Sequence, residues 1–284
     1  MKRWLKIALA IPAFLILAFT AFALTHSGLG IDRNSPPKFI THEFTDLSRI
    51  YSISKFRSAA GHDFSGGGEH CRSMKHYFDP QRTAEDDAYT SSHQGIPQPP
   101  DGQTDIPIYS PVDGTIVAIE EEHTPIGRQI SIIPKDASQF TIRLFHVFPK
   151  DGLGTPGPLA PFGIGGVEVK SGQQIGVLGA HQGTDISVQA GTMPWNENFI
   201  SYFDVMPDSI FASSYQSRGV KDRSDLILTQ QYRDAHPLQC GGPQKDGFVY
   251  PEGYDSEATD YFHLSGYIAP PSHSQGPQPK SQPQ

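Results

Sequence analysis

This sequence predicts a mainly β fold: antiparallel sheets in a barrel-sandwich-like domain, with a small C-terminal extension, preceded by an N-terminal transmembrane or signal helix. Three observations predict it. Glycine and proline are abundant, at 28 and 25 of 284 residues, which places turns at close intervals. Long helical periodicity is scarce. The middle of the chain carries short runs rich in β-branched residues, some of them strictly alternating.

The N-terminus comes first. Lys2, Arg3 and Lys6 precede an uncharged apolar run from Ile7 to Leu24. About 20 such residues cross a bilayer. The basic start, apolar middle and small residues at Ala21-Phe22-Ala23 also fit a secretory signal. Residues 1-24 are therefore expected to be a signal peptide or a membrane anchor, with the rest extracytoplasmic. Residues 25-38 read as a polar linker. The stretch 269-284, built from Pro, Ser, Gln and Lys, cannot bury apolar surface and reads as a disordered tail.

Residues 39-200 carry the strand signals. Ile106 to Glu120 contains one β-rich run that enters a turn at Val112-Asp113-Gly114 and a second that leaves it. Gln129 to Ile133 follows. Phe140, Ile142 and Leu144 alternate with Thr141 and Arg143, which puts them on one strand face, and His146 is expected to continue that face. Gln173 to Gly179 and Asp185 to Val188 are two further strands. Between 201 and 268 the pattern becomes mixed, with one short helix near Asp222 to Arg233, and reads as an extension packed on the sheets.

The charge of −8 argues against a nucleic-acid partner, because phosphate binding needs a basic surface. Cys71 and Cys240 are the two cysteines. In an exported chain an even pair reads as a disulfide, here one closing a very long loop and worth roughly 4–5 kcal/mol. Two free buried thiols are the alternative.

Three segments hold the residues with chemistry. Ser58 to Pro80 contains His62, Asp63, Glu69, His70, His76 and Asp79. Thr141 to Pro149 contains His146, and Gly183 to Val188 contains Asp185. Histidine and carboxylate are ordinary zinc ligands, and catalytic sites gather them from separate segments. Each residue also has a plain reading as a turn cap, a packed imidazole or a surface group.

The order of these segments resembles the lysostaphin-type zinc endopeptidases, which cut peptide cross-bridges in bacterial cell walls. The resemblance rests on DIPIYSPVDGTIV (Asp105 to Val117), RLFHVFP (Arg143 to Pro149), VKSGQQIGVLG (Val169 to Gly179) and GTDISV (Gly183 to Val188). It implies that His146 is the middle catalytic histidine and that Asp185 stands where the family has its last zinc-binding histidine. Gly183 and Arg72 stand where the family has further histidines. The implied zinc set is His62, His76 and Asp185, with His146 acting in proton transfer. The implied partner is a cell-wall peptide or envelope protein, and the implied activity is zinc-dependent peptide hydrolysis. A catalytically inactive peptidoglycan- or protein-binding module on the same fold is the alternative.

Overall fold

A computed structural model describes residues 17, 20, 28, 30–80, 106–122, 127–178, 183–192, 198–241 and 247–268. The apolar N-terminal run, apart from two of its residues, and the C-terminal tail lie outside the described residues. Among those described, no helix is long and apolar enough to cross a membrane.

The described chain is mainly β. In chain order its strands are β1 (Ile50–Ser54), β2 (His76–Pro80), β3 (Ile106–Tyr109), β4 (Gly114–Glu121), β5 (Arg128–Pro134), β6 (Phe140–Pro149), β7 (Val167–Val169), β8 (Gln174–Leu178), β9 (Thr184–Ala190), β10 (Asn198–Ile200), β11 (Gln239–Cys240), β12 (Phe248–Val249) and β13 (Tyr261–His263). One large sheet runs β13-β1-β2-β9-β6-β5-β4-β7, with β10 on β9 and β8 joining β6 to β3. These strands pair antiparallel throughout it.

The sheet is open and branched, and no closed barrel forms among the described residues, which corrects the barrel-like expectation. The branch has a local cause. Phe140 to Phe145 of β6 pair with β9, whereas Val147 to Pro149 pair with β8. His146 stands between the two stretches with a φ of 61°. A left-handed backbone is costly for a residue with a Cβ. Here it makes a bulge opposite β5, where Ile130 pairs Leu144 and Arg128 pairs Val147. The bulge breaks the alternation. Val147 is the residue that returns to the core, and His146 is half-buried on the other side.

The two β-rich runs around Val112-Asp113-Gly114 do not pair with each other. β3 pairs β8, and β4 lies between β5 and β7. Asp113 still organises that turn, since its Oδ1 accepts from the Ser171 backbone N–H at 2.9 Å.

One face of the sheet buries Ile142, Leu144, Ile186 and Val188. Residues after 200 complete this core. Tyr202, Phe203, Phe211 and Tyr215 are part of it, with Phe203 and Tyr215 ring centroids 4.9 Å apart. β13 adds a strand to β1. In place of one helix near Asp222 to Arg233 the chain forms a 3-10 turn, Arg223–Leu226, and a helix, Gln230–Ala235. Arg233 of that helix is fully buried against Asp260 at 2.9 Å. Its guanidinium also donates to the Arg57 carbonyl and the Tyr254 hydroxyl, so its charge and its N–H groups are satisfied together. Cys71 and Cys240 form the disulfide.

Candidate functional site

Strand alternation builds the site. Ile186 of β9 faces the main core, so Asp185 faces the opposite side. That side is not solvated: Asp185 is 0% exposed. Tyr77 and Phe145 lie across from it in the neighbouring strands. Lys75 enters beside them just before β2 and supplies the counter-charge. Its Nζ donates to Asp185 Oδ2 at 2.5 Å. The same nitrogen is 4.4 Å from the Phe145 ring centroid, 4.8 Å from that of Tyr77 and 5.0 Å from that of Phe64. Cations over aromatic faces gain most where they are dry, as here.

His62 joins this ammonium. Its Nδ1–H donates to the Asp63 carbonyl at 3.0 Å, which leaves Nε2 with a lone pair. Lys75 Nζ lies 3.3 Å from that Nε2. His146 completes the group from the bulge. Its Nδ1–H donates to the Gly183 carbonyl at 3.1 Å, and the same nitrogen is 3.7 Å from Asp185 Oδ1. Its Nε2 is 3.7 Å from Glu122 Oε2. Burial raises the Glu122 carboxyl pKa, and the charge of His146 opposes that shift. Glu122 was not anticipated from the sequence. It lies at the end of a polar run after β4, and only the sheet register brings it to His146.

His76 is not brought to this group. As the alternate residue of β2 it faces the other way, between Phe56 and Phe203. Both ring nitrogens are engaged: Nδ1–H donates to the Ser54 carbonyl at 2.8 Å, and Nε2 accepts from the Ser201 hydroxyl at 2.9 Å. Burial lowers its pKa to about 4, so it is a neutral, packed imidazole.

The two positions where the resembled family has further histidines are also explained. Arg72 donates to Glu69 at 2.8 Å and to Asp234 at 2.7 Å. Arg57 grips the same Glu69 through two bonds of 2.6 and 2.9 Å. Arg72 is thus a structural clamp. At Gly183 an added Cβ would lie 2.2 Å from Asp79 Oδ1 and 3.3 Å from the Phe78 carbonyl. Asp79 fills the room a side chain there would need. His70, His236 and His263 are exposed; His93 and His123 lie outside the described residues.

Zinc does not fit these residues. Among the described residues no three His, Cys, Asp or Glu side chains gather as a metal site. Asp185 and His62 do converge, but on an ammonium. A dication beside that buried charge meets repulsion that water cannot screen. The arrangement can hold a permanent cation. At its half-buried edge it also sets the His146 imidazole against the Glu122 carboxyl at 3.7 Å.

No protein-family model matches the chain, and no curated protein matches it. Among solved structures it has a likeness to the NMR solution structure of lysostaphin, at 18% identity and a TM-score of 0.23. That likeness covers 34% of this chain and 43% of lysostaphin, less than half of its length.

Proposed function

We propose that this chain is an extracytoplasmic binding module that holds a cell-wall peptide, or an envelope protein, without zinc-dependent hydrolysis. The observation that carries this reading is the Lys75–Asp185 ion pair at 2.5 Å, with both side chains almost wholly removed from water at 3% and 0% exposure. Asp185 stands where the resembled family has a zinc ligand, and its charge is already neutralised. The choice of partner rests on the resemblance of the sheet-forming segments to lysostaphin-type domains. The disulfide supports an oxidising compartment. The apolar run from Ile7 to Leu24 supports export, by cleavage or by anchoring.

Incubation of the purified chain with peptidoglycan sacculi tests the reading. Co-sedimentation without released fragments, unchanged by a chelator, is the expected result. Release of peptide fragments that a chelator abolishes would overturn it.

A further inference from the structure

We propose that Lys75 is the permanent cation of this centre: its ε-ammonium occupies the place a divalent ion would need, and by occupying it closes the centre to metal. The inference rests on the non-zinc reading above and adds the device that enforces it.

Several independent contacts converge on one nitrogen. A carboxylate oxygen of Asp185 lies at 2.5 Å, and the lone pair of His62 Nε2 at 3.3 Å. Three aromatic faces surround it at 4.4 to 5.0 Å. A lysine normally keeps its ammonium in water and buries only its stem. Here the side chain is 3% exposed. Removing such an ion from water costs several kcal/mol, which only close, oriented partners offset. Asp185 and His62 provide them, each aimed at the nitrogen and each from a different segment.

Aimed in this way, an imidazole nitrogen and a carboxylate oxygen are also two of the four positions of a tetrahedral metal set. Water can supply the remaining positions. The ammonium blocks that set by position and by charge. Truncating Lys75 deletes the positive charge and leaves room where it was, with His62 and Asp185 still directed there. A divalent ion such as zinc is the species that restores the lost neutralisation.

Thermal unfolding of the full chain with and without zinc chloride tests this. Lys75→Ala is expected to rise in Tm with zinc and to fall back with EDTA, while the wild type does not move. Adding Asp185→Ala to Lys75→Ala is expected to abolish the rise. A folded Lys75→Ala chain indifferent to zinc overturns the proposal, as does a wild type that zinc shifts equally. If Lys75→Ala folds neither with zinc nor without it, Lys75→His, which keeps bulk and adds a nitrogen, decides by the same shift: a zinc-dependent rise supports the proposal and its absence overturns it. Hydrolysis of sacculi by the wild type, if metal-independent, would sink the binding-module reading and leave this inference standing.

Discussion

Lys75 Nζ and Asp185 Oδ2 lie 2.5 Å apart in a centre closed to water. Each group is tolerable there only because of the other. Removing one partner of a buried pair leaves an uncompensated charge, at a typical cost of about 3–5 kcal/mol. Lys75→Met and Asp185→Asn are each expected to lose about that much in chemical denaturation. The double variant is expected to lose clearly less than the sum, because neither charge remains. Additive losses would show that the two residues act separately.

Two titrating groups, Glu43 and His76, act in opposite directions on stability. Burial raises the Glu43 carboxyl to about 7, against hydrogen bonds from Tyr215 and Ser214. The folded chain then binds the Glu43 proton more tightly than the unfolded chain does, so stability falls as pH rises from about 4.5 to 7. Burial lowers His76 to about 4. Its folded form is neutral, so stability is lost as pH falls from about 6.5 to 4. Relative to wild type, Glu43→Gln is expected to steepen the acid-side loss, and His76→Gln to steepen the loss toward pH 7. Each slope change is at most about 1.4 kcal/mol per pH unit, the value for one proton. Urea midpoints across pH 4 to 8 measure both, and parallel curves for all three proteins would contradict the assignment.

Gly183 is held to glycine by its neighbour. Its Cβ position lies 2.2 Å from Asp79 Oδ1. Gly183→Ala is expected to destabilise by about 1–3 kcal/mol, the usual range for overpacking. Adding Asp79→Ala is expected to recover most of that loss in a thermal melt. No recovery would place the strain elsewhere.

The fold was legible where strand alternation and turn residues agree. Ile106–Tyr109, Gly114–Glu121, Arg128–Pro134, Gln174–Leu178 and Thr184–Ala190 fall where the sequence puts runs of β-branched residues. β1, β10 and β13 escaped the sequence reading. Each lies outside the alternating β-branched runs, and β1 and β13 pair with each other across about 200 residues. The open branching escaped for a different reason: it turns on one left-handed residue, His146, whose side chain gives no sign of it. At the site, Asp185 on the face opposite Ile186 was readable, but His146 beside it was not, because alternation puts His146 on the Leu144 face and only the left-handed bulge turns it away. Lys75 was not. A lysine next to a histidine in a polar segment looks like surface, and only the fold brings Lys75, at the entry to β2, to Asp185 while His76 faces the far side. In hindsight the aromatic residues Phe64, Tyr77 and Phe145 were the available sign, because each lies near in sequence to a charged or titrating group.

Metal content tests the central claim most directly. The purified full chain is exposed to excess zinc, desalted and assayed for bound zinc by elemental analysis. The Lys75–Asp185 centre predicts that no zinc stays with the protein. Zinc retained at about one ion per chain, and lost in Asp185→Asn, would contradict it.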